Sequence, residues 1–170
     1  MKNLRDGAFL MPGCWQTGDD PEAVHITYSK YVTKEFASEY GYNGYYDDIM
    51  VLQLCDDAAN NKLGKNWRMP TREEARELLS KCEIERAILR GVHGTKITSK
   101  VDGFTNNWIF LPDAGMHYPE RIYDLGSAGA YWTSSLSGYS GEFLRLFSNG
   151  LGVGTGLSRS TGLPIRPVSE

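Results

Sequence analysis

The chain has 170 residues and a net charge of −3. That length suits one domain, and such a chain buries about 70% of the surface its unfolded form exposes, so neither a metal nor a disulfide is needed for folding. The mildly acidic balance argues against a phosphate-binding face and hence against a nucleic-acid partner.

Charged residues are 23% and aromatic residues 12%, ordinary for a globular chain apart from ten tyrosines. Tyrosine is rigid and amphipathic and loses little entropy when ordered, so a surplus can supply contact surface; half-buried strand positions are its other common use. Cys14, Cys55 and Cys82 form no Cys-x-x-Cys pair and have no sequence-adjacent His. Buried free thiols are expected, with a Cys55–Cys82 bridge as the alternative in an exported chain. His25, His93 and His117 are too scattered for a metal site, and neither metal nor cofactor is expected. The charged segment Met1–Asp6 and the short apolar run Ala8–Met11 do not read as a secretion signal. No stretch reaches the roughly 20 apolar residues of a membrane span, so no membrane insertion is expected.

Residues 1–45 show poor periodicity, and Tyr40-Gly41-Tyr42-Asn43-Gly44-Tyr45-Tyr46 reads as a loop with turn residues between aromatics. Val51, Leu52, Cys55, Ala58, Ala59 and Leu63 recur at helical steps, which predicts a helix over Asp48–Leu63, capped by Asp47 or Asp48 and stopped by Gly64. A second helix follows Pro70. Thr71 and Glu74 form a capping box, Ala75, Leu78, Leu79 and Cys82 a buried stripe, and Arg72, Glu73, Arg76, Glu77 and Lys81 a solvated face.

Beyond Cys82 the pattern changes to short strands. Residues 83–89 alternate as a strand would, although propensity also allows a helix. Gly91 and Gly94 flank a turn, Lys96–Ser99 is a strand, Asp102-Gly103 is a tight turn, and Trp108–Leu111 is a buried strand ended by Pro112. Residues 113–129 are loop-rich. Strands are then expected around Tyr131, over Glu142–Phe147 and over Leu163–Val168, with a Gly-rich stretch between Gly150 and Gly156. Two helices followed by short strands give an α+β fold in one domain, 1–170, with an irregular part over 1–45.

Four motifs stand in order: Trp67-Arg68-Met69-Pro70-Thr71-Arg72-Glu73-Glu74, Ile109-Phe110-Leu111-Pro112-Asp113-Ala114-Gly115, Tyr131-Trp132-Thr133-Ser134-Ser135 and Ile165-Arg166-Pro167-Val168. With these, the chain from about residue 45 to residue 168 resembles the Fibrobacter succinogenes major paralogous domain family of gut Bacteroidetes. The resemblance implies a C-type lectin-like fold, shared with formylglycine-generating enzymes and with the variable proteins of diversity-generating retroelements. One departure is Ala75, where many members have Trp, so the packing under the second helix is expected to differ. Trp67 is expected as a core anchor and Trp132 as core on a central strand. Arg68 and Arg166 are expected to brace loops through hydrogen bonds to carbonyls. Ser134 and Ser135 should satisfy backbone groups in a turn.

In the retroelement proteins that the chain resembles, diversity lies in this C-terminal stretch, where adenine-directed mutagenesis yields Tyr, Ser, Gly, Asp, Leu, Val, Thr and others. Here an apolar frame alternates with such residues. The resemblance implies a variable, ligand-binding region over 131–168, with contacts from Leu136, Ser137, Tyr139, Ser140, Phe143, Arg145, Phe147, Leu151, Thr155, Leu157, Ser160 and Thr161. On a strand, Phe143, Arg145 and Phe147 share one face and Leu144 and Leu146 the other. With the leucines inward, two Phe and an Arg would stand in solvent as contact residues; the alternative is that Phe143 and Phe147 are core.

The expected function is recognition or adhesion without catalysis. The partner would be a protein or glycan on another cell or host surface, and the location extracellular, on a cell surface or on a virion. A structural domain of a surface or fibre protein is the runner-up. A catalyst like the formylglycine generators is less favoured, because those use late cysteines and every Cys here lies at or before residue 82. A calcium-dependent sugar lectin is also less favoured. Its Glu-Pro-Asn or Gln-Pro-Asp ligands are missing, and Leu111-Pro112-Asp113 has an apolar first residue.

Overall fold

A capped helix, α3 (Arg72–Lys81), anchors the architecture. Thr71 accepts a hydrogen bond from the Glu74 N–H (3.2 Å), and the Glu74 carboxylate accepts one from the Thr71 N–H (2.8 Å), completing the expected capping box. Arg68 donates to the same carboxylate from Nη1 and Nη2, each at 2.7 Å. The helix runs straight into a strand at Cys82, with no glycine between.

The computed structural model describes residues 14–17, 25–118, 121–148 and 150–169. In chain order its elements are β1 (Cys14–Thr17), β2 (His25–Tyr28), α1 (Ala37–Tyr40), α2 (Ala58–Leu63), β3 (Trp67–Arg68), α3, β4 (Cys82–Leu89) and β5 (Val92–Ser99). There follow β6 (Trp108–Pro112), β7 (Met116–His117), β8 (Ile122–Tyr123), β9 (Gly129–Ser137), β10 (Ser140–Phe147), β11 (Gly150–Leu157) and β12 (Val168–Ser169). These strands pair antiparallel, giving an α+β fold. The expected irregular segment 1–45 lies partly outside the described residues.

The first expected helix is much shorter than its periodicity suggested. Only Ala58–Leu63 is helical, and its cap is Asp57, whose carboxylate accepts from Ala59, Asn60 and Met69 N–H groups. The residues before it are drawn onto the central sheet instead. Leu52 N–H donates to Ser134 O, Leu136 N–H donates to Met50 O, and Val51 bridges Ser135. Tertiary pairing overrides helix propensity there. Asp47, one of the two expected caps, holds Tyr31, Val32 and Ile49 N–H groups. Gly64 ends α2 as expected, at φ 97°.

Two three-stranded sheets carry the rest, ordered β4-β5-β6 and β11-β10-β9. Arg90 and Gly91, both with positive φ, make the two-residue loop between β4 and β5. Gly94 lies inside β5 rather than at a turn, since a Cβ there would meet Leu111 O and the Phe110 ring at 2.5 Å. The expected strand over Leu163–Val168 shrinks to β12, which pairs with β3. Pro164 and Pro167 remove two donors from that segment and confine strand pairing to its end.

The sheet β11-β10-β9 is packed on both faces, with Arg145 and Leu151 left exposed near the β10–β11 turn. Leu144 pairs across to Tyr131 and Val153, and this face packs with Leu146, Ile97 and Leu111 against Ala75, Leu78 and Leu79 of α3. On the other face Phe143 pairs with Trp132 and Gly154 and packs among Tyr31, Leu52, Met69 and Leu163. Trp132 is core as expected, 1% exposed. Trp67 is not: it is 39% exposed on the short β3 ribbon.

Candidate functional site

The contact residues expected in the C-terminal stretch separate by depth. Ser137, Arg145, Leu151 and Thr155 are exposed, and Tyr139, Phe147, Leu157 and Ser160 are half-buried. Leu136, Ser140, Phe143 and Thr161 are buried, against the expectation that these side chains point to water. Phe143 is the clearest correction. Its ring lies against Trp132 edge-on at 6.3 Å, and it sits over Gly154, where a Cβ would come within 2.5 Å of it. The glycines of β11 on this face are therefore a trough for the neighbouring strand's side chains. Gly150 does the same for Arg145, whose Nη2 a Cβ there would approach to 2.8 Å. The expected Gly-rich stretch pairs as strand β11, with a register shift opposite Gly141 and Phe143.

The exposed candidates also do not form one continuous face. Arg145 and Phe147 lie near the β10–β11 turn, with the guanidinium 5.9 Å from the Phe147 ring. Ser137 and Tyr139 lie at the β9–β10 turn, at the far end of β10. Eight residues of strand put those ends about 24 Å apart.

The β9–β10 end holds an aromatic cluster. Gly138, at φ 64°, opens a two-residue loop, and a Cβ there would lie 2.6 Å from the Phe36 ring. That close approach seats Tyr139 on its neighbours. Its ring stacks on Tyr40 at 3.6 Å and 10°, stands edge-on to Phe36 at 5.1 Å, and lies 6.5 Å from Tyr28. The Tyr40 phenol is shifted upward, first by its hydrogen bond with Tyr139 and then by Glu39. Tyr42, Tyr45 and Tyr46 follow Tyr40 directly and are 50%, 43% and 46% exposed. Below them, Tyr31 donates to Asp56 at 2.5 Å, and Lys30 pairs with the same oxygen at 2.8 Å. Arg159 is fully buried, lies 4.2 Å over the Tyr28 ring and donates to Lys30 and Tyr31 carbonyls, tying the end of the C-terminal stretch to this region. Tyr40 was legible only as part of an aromatic loop; no local signal places it beside Tyr139.

Ser134 and Ser135 lie within β9 and not in a turn. They do satisfy backbone groups: Ser135 Oγ accepts from Arg72 N–H at 3.0 Å, and Ser134 N–H donates to Pro70 O at 2.8 Å. Both therefore serve the N-terminus of α3. Arg72 departs from the expected solvated face and reaches Glu142 at 3.0 Å, which a β-bulge between Gly141 and Phe143 turns inward to 1% exposure. Arg68 braces Met69 O as expected, whereas Arg166 makes no hydrogen bond or ion pair with a described residue.

Beside α3 lies a cavity of about 400 Å³, lined by Ala75, Leu78, Leu144, Tyr131, Trp132 and Ile109, with Trp67, Glu74 and Arg166 toward its rim. A small residue at 75 leaves this space open. Cys55 and Cys82 are free, and Cys55 is exposed rather than buried. The Cys14 and His25 side chains lie outside the described ones. Among the described residues no His, Cys, Asp and Glu group is placed to hold a metal. No described helix is long and apolar enough to cross a membrane. Compared with protein-family models, with curated proteins and with solved structures, the chain has no match, so its own geometry carries the functional reading.

Proposed function

We propose that this chain is a non-enzymatic recognition domain with a C-type lectin-like fold, binding a protein or glycan on a cell or host surface through the β9–β10 end. The observation that carries the reading is the Tyr139–Tyr40 stack at a rim where Tyr42, Tyr45 and Tyr46 are exposed. Rigid, amphipathic rings lose little entropy on contact and offer both an apolar face and a hydroxyl, which suits sugar faces and protein patches alike. The supporting scaffold is stiff: both faces of the sheet are packed, and the loop carrying Tyr139 is docked on Phe36. Pre-organisation of this kind lowers the entropy lost on binding. Ser137, Arg145, Leu151 and Thr155 are exposed, so a retroelement could vary them without disturbing the core. The reading places the protein outside the cell, on a cell or virion surface.

Binding of the labelled chain to a glycan array and to whole cells, with and without chelator, tests it. Retention is expected in chelator, and Tyr139→Ala should reduce binding by about tenfold or more, as removal of a central aromatic anchor does. Signal at background on every surface, or full signal from both Tyr139→Ala and Tyr40→Ala, would overturn the reading. Sequencing the DNA beside the gene tests diversification separately. A reverse transcriptase and a near-copy of the C-terminal coding stretch are expected, and finding neither removes that part alone.

The buried positions Leu136, Ser140, Phe143 and Thr161 favour a second reading, a structural domain of a surface or fibre protein. It predicts that the same binding assays stay at background while the chain assembles into larger particles.

A further inference from the structure

We infer that the cavity beside α3 is a binding site for a small carboxylate with an aromatic body, held by Arg166. The space is a half-open, mostly apolar recess of about 400 Å³, within the size range of small-molecule pockets. Its inner wall is apolar: Ala75, Tyr131, Trp132 and Leu144 are each at most 6% exposed. The Tyr131 hydroxyl is already committed to Pro112 O at 2.6 Å, so that wall offers a ring face rather than a donor. Trp67 at the rim is 39% exposed and gives a flat surface on which a ring can stack.

The charges at the rim select the sign of the ligand. Glu74 is neutralised by the two-point Arg68 grip and by the Thr71 N–H. Arg166 has neither a hydrogen bond nor an ion pair with a described residue, which leaves a cation facing an apolar cavity. Its backbone lies between Pro164 and Pro167; a residue directly before proline is confined to extended conformations, so the guanidinium is presented from a stiff segment. A planar guanidinium pairs best with a carboxylate, through two parallel hydrogen bonds. The site is separate from the tyrosine rim and does not depend on the recognition reading.

The test is quenching of tryptophan fluorescence by 3-phenylpropanoate, with the neutral 3-phenylpropanamide as the comparison, because Trp67 and Trp132 line the cavity. Saturable quenching with a Kd on the order of 1 mM or tighter is expected for the acid, given the binding efficiency of small ligands. The amide should bind about tenfold more weakly, through loss of the charge-assisted pair. Arg166→Gln should bring the acid to the affinity of the amide. Ala75→Phe, which fills the space, should abolish binding of both, and Tyr139→Ala should leave it unchanged. If Ala75→Phe does not fold, the exposed Arg166→Gln variant decides. The inference fails if quenching by the acid does not saturate, if Arg166→Gln binds it as the parent chain does, or if folded Ala75→Phe still binds.

Discussion

The two faces of the β11-β10-β9 sheet are built from the same strands but solve different packing problems. The Leu144 face meets a helix, α3, and leaves a cavity beside Ala75. The Phe143 face meets the short helix α2, through Ala58 and Ala59, together with irregular chain that brings in Tyr31, Leu52, Met69 and Leu163. That second face is covered at Phe143 and open at Arg145, which is exposed and pairs with Gly152. This differs from an antiparallel sheet with one wet face, where alternation along a strand separates core from surface.

Truncating one residue on each face tests whether both are packed. Phe143→Ala and Leu144→Ala should each cost about 2–5 kcal/mol in urea denaturation, as buried large-to-small changes do. A cost under about 0.5 kcal/mol for Phe143→Ala would put that side chain in solvent after all. A finer probe uses the trough under Phe143. Gly154→Ala drives a methyl into the ring and should cost about 1–3 kcal/mol, while Gly152→Ala, with nothing within 4 Å, should change stability by no more than about 0.5 kcal/mol. Equal effects at the two glycines would contradict the register of β10 on β11.

The smallest effect concerns the α3 side alone. Arg68 beside Glu74 holds the carboxyl down at about 2, against burial that pushes it up. A folded value below the unfolded one stabilises above the ordinary glutamate range, and that contribution is lost as pH falls from about 4.5 toward 2. The group is 38% exposed, so after discounting for solvent screening the loss is on the order of 1 kcal/mol. Thermal melts of the parent chain and Glu74→Gln should therefore differ at pH 7 and converge near pH 2. A constant difference over that range would show that the Arg68 pair contributes nothing.

The elements legible from sequence were those whose determinants are local. Thr71 and Glu74 specify a helix start within four residues, and Asp102-Gly103 a turn, with Phe104 N–H donating to Val101 O at 2.9 Å. The first part of the expected helix Asp48–Leu63 failed because the partner of residues 50–52 is strand β9, far along the chain, while Ala58–Leu63 is helical. A helical apolar stripe and an extended segment covering a sheet can carry the same residues. For the site, the tyrosines of the loop and the small residues of the C-terminal stretch were visible as types. Their depth was not, because Phe143 and Arg145 alternate with leucines whether the second face is wet or covered.

An α+β chain, the capped helix α3 and the strand over Glu142–Phe147 were readable from short-range periodicity and capping chemistry, and Trp132 proved to be core as expected. That Phe143 is buried on the second face of the sheet, that Tyr139 meets Tyr40 and that Arg166 lines an apolar cavity emerged from the folded chain alone. Those outcomes depend on which distant segment covers which face, and that is set by packing the whole chain at once rather than by any window along it.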